Sequence, residues 1–365
     1  MKLEKSKKVV IGVLIILSVI SLIIVKNDYF IYKQNILHIT SVEKTTSKSD
    51  TSFENYYNQI ITGVMKNGKY KNNKYTFENT ASESGVYDDY YRKGADLFVE
   101  VSKDGNHIVG ILGVKRDKYV CSLLIIFVDL LIIMAGIKGL FILVSLFINV
   151  CLSLLAVSIY KTDNIEIGIL PLFMVVSIFF IVFSLFITNG KSKKTLSAIL
   201  SSIISLFISF FLCYFMIKIF GENLPYWSMD YIETVYEYEN FFLVSVLLSG
   251  LGAIMDISIT ISSSINELVD KNPEISFNNL IKSGKEISKD ISGTMCNIML
   301  FTCFTAIIPM VVLATRNYMS LYNALKHYGE LELVLVLTSC ISIVLTIPIS
   351  LYISAYLMSK KGGKK

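Results

Sequence analysis

The stretch GAIMDISITISSSINE, residues 252–267, places one carboxyl, Asp256, in a run that is otherwise apolar, small or hydroxylated. Around it, Ser245, Ser249, Gly252, Asp256, Thr260, Ser263 and Glu267 follow one another at steps of 4, 3, 4, 4, 3 and 4. Such steps keep side chains on one face of an α-helix, so the acid belongs to a stripe. Small residues let another backbone come close, and hydroxyls can hold water or share a proton. A charged carboxylate near the centre of a bilayer costs roughly 2.5–3.5 kcal/mol, a cost that Ala or Ser in its place would avoid. A carboxyl kept there, able to gain and lose a proton, is a candidate proton relay or ion site. The structural alternative is a hydrogen-bonded acid that only ties helices together.

The following apolar run carries Gly293, Thr294, Asn297, Thr302 and Thr305. Asn297, one turn after Gly293, is the expected contact of Asp256, with Thr294 beside it. Ser197, Ser201, Ser205 and Ser209 recur every four residues and read as a small-residue packing face. Asp129, near the middle of another apolar run, is a second acid; no polar seam surrounds it, and a functional and a structural role stand even. Lys218, near the end of its run, is expected to snorkel.

The elements that must position these residues are membrane helices. The 365-residue chain is 53% hydrophobic with a mean hydropathy of +0.59, and its charges are distributed unevenly. Windows of about 20 nearly uncharged residues, the length needed to cross about 30 Å of hydrocarbon, occur at 9–25, 119–135, 139–160, 167–188, 195–220, 241–265, 291–314 and 331–358. The sequence therefore predicts a polytopic α-helical membrane protein with about eight transmembrane helices. With the N-terminus inside, 16 lysines, among them Lys138, Lys191 and Lys282, fall on inner segments. Only Lys161, Arg316 and Lys326 fall on short outer loops. That asymmetry places both termini in the cytoplasm. It also accounts for the net charge of +5 without nucleic acid. The first run follows MKLEKSKK; with no A-x-A site after it, an uncleaved anchor is expected over a signal peptide.

Residues 26–118 form the one long polar segment, expected to be an extracytoplasmic β-barrel-like domain. Strand-like runs at 36–42, 59–65, 74–80, 96–102 and 107–114 are rich in β-branched and aromatic residues, and NGKYKNN and KDGN supply turns. The connector 43–55 reads as a loop. Residues 221–240 interleave acids with Tyr and Trp, either an interfacial aromatic belt or a cation-collecting vestibule. Ser276 is a helix cap, after which Phe277, Leu280, Ile281, Gly284, Ile287 and Ile291 give a cytoplasmic amphipathic helix over 277–290. The domains are thus 1–25, a tip and first anchor; 26–118, the β-rich domain; 119–358, seven membrane helices with the surface helix; and 359–365, a lysine-rich tail.

All six cysteines lie inside expected spans, so no disulfide framework or zinc spacing is present and no cofactor is expected. An aspartyl protease would need Gly-x-Gly-Asp, whereas Asp256 follows Gly-Ala-Ile-Met. The three histidines, His38, His107 and His327, lie outside the spans, and neither His-Glu-x-x-His nor a phosphate-binding Gly-rich loop occurs. The chain does not read as an enzyme.

GAIMDISITISSSINEL (252–268), NPEIS (272–276), SGKEISKDISGTMCN (283–297) and the small domain between the first two spans resemble the YibE/F family of bacterial membrane proteins. More distantly, Gly-x-x-x-Asp in a span, then a surface helix, then a span with small polar residues is similar to the half-repeat of RND-type transporters and of the SecD/SecF secretion proteins. That resemblance implies a proton-coupling role for Asp256 and a second copy or homologous membrane partner. This chain departs from it in having five spans rather than three before the surface helix, Glu267 near the place of an arginine, and a small external domain. The function expected is a proton- or ion-coupled, transporter-like protein of the bacterial plasma membrane, acting on a small substrate or ion. The alternative is an accessory or scaffold subunit of an envelope complex that binds a partner through its external domain.

Overall fold

The computed structural model describes residues 16–47, 56–83, 85, 88–161, 168–220, 224–226, 229 and 238–359. The chain divides into two compact units, Met1–Gly136 and Ile137–Lys365.

In the first unit an apolar helix α1 (Ile16–Lys26) leads through a 3-10 turn, Asp28–Phe30, into β1 (Asn35–Ser47), β2 (Tyr56–Met65), β3 (Lys74–Ser82), β4 (Asp96–Val101) and β5 (Ile108–Val114). The strands form one antiparallel sheet in the order β3-β2-β1-β4-β5, curled into a nearly closed barrel. Alternation drives it: along β2, Gln59, Ile61, Gly63 and Met65 turn inward while the residues between face out or half out. They meet Leu37, Ile39, Leu97 and Val99 in the core. A bulge between Ile39 and Ser41 bends β1, whose start, Asn35–His38, pairs with β4 while Leu37–Ser47 pairs with β2. Gly63 permits a close crossing of β1 and β2, since a Cβ there would sit 2.7 Å from the Leu37 side chain and 2.8 Å from the His38 carbonyl. All five expected strands are present. β1 runs on through Ser47, so 43–47 is strand rather than loop; residues 48–55 of that connector lie outside the described residues.

Helix α2 (Asp117–Ala135) closes the first unit, and none of its residues is buried. The second unit holds α3 (Ile137–Tyr160), α4 (Ile169–Asn189), α5 (Lys193–Phe220), α6 (Tyr238–Ser249), α7 (Leu251–Lys271), α8 (Phe277–Arg316) and α9 (Leu321–Ser359). One core joins α4, α5 and α6 around Phe180, Leu206, Phe210 and Phe242; another joins α7, α8 and α9 around Ile257, Ile261, Leu280 and Leu351. Among the described residues, seven helical stretches are long and apolar enough to cross a membrane, α6 and α7 together forming one of them. On α3, Leu146, Phe147, Leu154 and Leu155 are each at least half exposed. Contiguous apolar surface on that scale belongs in lipid rather than water. Of the eight expected spans, seven are matched; the first is seen as Ile16–Lys26, and residues 1–15 lie outside the described residues.

Two boundaries differ from expectation. The sixth span is interrupted at Gly250, which divides α6 from α7. A Cβ at Gly250 would lie 3.2 Å from Cβ of Ser342 on α9, so the break falls where two backbones approach closely. The amphipathic helix starts as expected, with Ser276 Oγ accepting from the Asn279 amide at 3.4 Å. It does not end before the next span: Phe277–Arg316 is one helix of 40 residues.

Candidate functional site

Helix α7 has two polar faces. Ser258 is two residues from Asp256, hence about 200° away around a helix of 3.6 residues per turn. On its side, Ser258 and Ser262 are fully buried with Ile254, Ile257, Ile261 and Ile265. Ser262 Oγ lies 2.9 Å from Ser354 Oγ of α9 and 3.5 Å from Ser197 Oγ of α5; Ser197 and Ser354 are themselves 2.9 Å apart. Ser258 Oγ is 3.1 Å from Ser350 Oγ. Three helices are thus pinned by one junction of hydroxyls, and small side chains are what allow backbones to come near enough to form it. The four-residue serine ladder of α5 is buried along its length, as a packing face should be. Ser201 and Ser209 return their hydroxyls to carbonyls of their own helix, while among the described residues Ser205 Oγ has no partner.

The opposite face carries the sequence stripe. Gly252, Asp256, Thr260 and Glu267 are exposed on the surface of the unit, and Ser263 is half-buried. Nothing lies within 4 Å of a Cβ built at Gly252. Asp256 makes no hydrogen bond or ion pair among the described residues. At 1.5 Å per residue it stands about 27 Å from Tyr238 and about 22 Å from Lys271, the ends of that membrane-length stretch, which puts it well inside a 30 Å core. Asn297 does not meet it: Gly293, Thr294 and Asn297 are all exposed on α8, and no hydrogen bond joins Asn297 to Asp256. From Gly252 to Glu267 the stripe lies on one face of α7, as its spacing requires, and among the described residues of this unit Gly252, Asp256, Thr260 and Glu267 stay exposed.

Toward the α8–α9 turn, the stripe begins beside a cavity of about 380 Å³ between α6, α8 and α9. Ser245, Met310, His327, Tyr328 and Glu332 line it. Ser245 is the first member of the stripe, about 16 Å along the helical rise from Asp256. His327 and Glu332 were not among the sequence candidates; an acid at the start of the last apolar window is the signal that could have found Glu332.

Asp129 is in the first unit, where it accepts a 2.5 Å hydrogen bond from Ser18 Oγ and ties α2 to α1. Lys218 pairs with Glu239 at 2.7 Å instead of reaching out alone. In the sequence segment 221–240, Tyr226 packs edge-on against Phe242; most of the other acids and aromatics there lie outside the described residues.

A second polar cluster escaped the sequence reading. The Lys115 ammonium is 3% exposed, 2.5 Å from Asp28 and 2.6 Å from Asp117. Tyr32 donates to Asp117 at 2.7 Å, and His38 Nδ1 lies 2.6 Å from Asp96. Burial works against the charge on Lys115, but its hydrogen bonds to Asp117 and Asp28 outweigh it and hold the ammonium above its ordinary range. The bond to Asp117, followed by burial, pushes the Tyr32 hydroxyl up to about 12. Every acid here has a partner, and the cluster joins the β domain to the ends of α1 and α2.

A β domain fastened to two apolar helices, followed by a helical unit with an apolar exterior, defines a multi-pass membrane protein with a small N-terminal β domain. A family model described as YibE/F-like protein matches residues 123–360, and one described as YibE/F family N-terminal domain matches residues 30–114. The chain belongs to the YibE/F family. No curated protein and no solved structure matches it.

Proposed function

We propose that this protein is a proton- or ion-coupled, transporter-like protein of the bacterial plasma membrane, with Asp256 as the coupling carboxyl. One observation carries the reading: among the described residues Asp256 has no partner, at membrane depth, on a face with open space beside Gly252. A charge left against hydrocarbon there is costly, so the carboxyl functions neutral, hydrated, or covered by a second membrane surface. A second copy or a homologous partner placing its own helix against Gly252, Thr260 and Ser263 completes the site, and Thr294 and Asn297 lie on the neighbouring exposed face. The cavity at Ser245, His327 and Glu332 supports an access path for a small substrate or ion from one side. The lysine asymmetry argues for cytoplasmic termini, and nothing in this reading calls for an enzyme.

The test is to reconstitute wild type and Asp256→Asn in vesicles and follow internal pH under an imposed gradient. Wild type should respond and Asp256→Asn should not, although both insert equally; an Asn variant that still responds ends the proposal. The open edges of the β sheet favour a second reading, an accessory subunit that holds a partner through the β domain. In that case function survives Asp256→Asn and fails when residues 30–115 are removed.

A further inference from the structure

The order β3-β2-β1-β4-β5 leaves β3 and β5 each with one unused ladder edge, and among the described residues no backbone hydrogen bond joins them. Between them opens a cavity of about 630 Å³, lined by Phe77, Glu78 and Asn79 of β3 and Ile108–Ile111 of β5. We propose that this gap is a peptide slot that takes an extended segment of a partner protein, alternating apolar with lysine or arginine residues, as a sixth strand.

The two edges are unequal. Val99 pairs with Ile111 but Phe98 with Gly113, and Val101 with Ile108 but Glu100 with Gly110, so Leu112 and Val109 are each extra residues on β5. Bulges of this kind interrupt a ladder and spoil that edge as a template. β3 pairs with β2 without a shift from Lys74 to Ser82, so up to Thr80 its free edge offers regularly spaced amides and carbonyls, while the Ser82 amide at its end is taken by Asp88. An incoming strand therefore hydrogen-bonds to β3 and leans across to β5.

Chemistry on the two sides of such a strand follows from the pleat. Phe77 points inward with the core, and Ile108 and Ile111 pack against the same core from β5, so alternate guest side chains rest on apolar surface. Glu78 faces out and is exposed. Asp88 and Asp89 stand at the rim, and no Lys or Arg is among the described lining residues. Asp88 is held in place by the Ser82 amide and hydroxyl at 2.8–2.9 Å. Asp89 has only a 3.4 Å contact to an exposed Arg116. Three carboxylates without a lining cation select for basic residues at the outward positions of the guest.

The experiment uses the full chain in an uncharged detergent and a fluorescein-labelled peptide, acetyl-KVKVKVK-amide. Expected are saturable binding by anisotropy and slowed amide exchange at Thr76–Asn79. The same peptide N-methylated at alternate amides, and wild-type peptide on Glu78→Lys, should each bind about tenfold or more weakly, since tenfold is about 1.4 kcal/mol. No binding by the basic peptide to a folded β domain overturns the proposal. Equal binding by the N-methylated peptide overturns strand addition, and equal binding by acetyl-EVEVEVE-amide overturns the basic class. Protection of β3 that rises with protein concentration in the absence of peptide assigns the slot to a second copy and overturns it likewise.

Discussion

The two units handle charge next to lipid in opposite ways. At the base of the β domain, Lys115 and Asp117 meet Asp28 from a distant segment of the chain, and the three satisfy one another. On α7, Asp256 stands at membrane depth on an exposed face with no counter-charge among the described residues. A paired cluster has everything it needs within the fold and serves as a joint. A solitary acid lacks something the chain does not itself supply, and that lack is why Asp256 rather than Lys115 is assigned the functional role. The same contrast recurs across α7 alone, where Ser258 and Ser262 are locked to neighbours and Asp256 and Thr260 are not.

The contrast can be broken most forcefully at Lys115. Lys115→Met leaves two acids facing each other and should destabilise the β domain by about 3–5 kcal/mol, read as faster amide exchange in β1 and β4. Alkali should act in the same direction. Lys115 holds its proton above 10.5 when folded, and Tyr32 holds its own to about 12 against 10.0 unfolded. Both lead the unfolded state to release protons first, so stability is complete near neutrality and falls as pH rises from 10 towards 12. Tyr32→Phe should flatten part of that fall; a stability unchanged to pH 12 would mean the cluster does not hold the domain.

Two glycines two residues apart sharpen the difference next. Gly250→Leu drives a side chain against Ser342 and should cost about 1–3 kcal/mol, whereas Gly252→Leu enters open space and should leave thermal stability within about 0.5 kcal/mol. If Gly252→Leu instead lowers stability only where copies associate, the uncovered face is an interface. Ser262→Ala removes the centre of the hydroxyl junction and should cost about 0.6–1.7 kcal/mol, measured by denaturation in mixed micelles. Smallest of all is Asp256→Asn: with no partner to lose, it should melt within about 0.5 kcal/mol of wild type. A clear loss of stability would reveal a tie this structure lacks.

Much of this was legible from spacing. Runs rich in β-branched and aromatic residues, with turn signals between some of them, located all five strands, and the steps of three and four around Asp256 do describe one helix face. What spacing leaves open is which side of a helix its neighbours occupy. Ser197, Ser201 and Ser205 looked like packing and are buried; Gly252 and Thr260, chemically no different, are uncovered. Only the arrangement of α5 and α9 distinguishes them. Lys115 was hidden for another reason: Asp28 is 87 positions away, and a pairing across that distance leaves no periodic trace. The flanks KNDYFIYK and GVKRDKY, charged and aromatic at both ends of the β domain, were the only hint. The Gly250 break was equally silent, because a lone glycine in a helical pattern is usually tolerated.

The unbroken length of α8 has its own consequence. Forty residues span about 60 Å at 1.5 Å each, twice the thickness of the hydrocarbon. Its first turns, studded with Lys282, Lys285 and Lys289, are therefore continuous in one helix with the segment that bears Thr294 and Asn297. A load on the lysine end, from a lipid headgroup or a docked protein, would pass along this one helix toward the bilayer interior through Ser292 and Gly293, the kind of pair at which a helix bends.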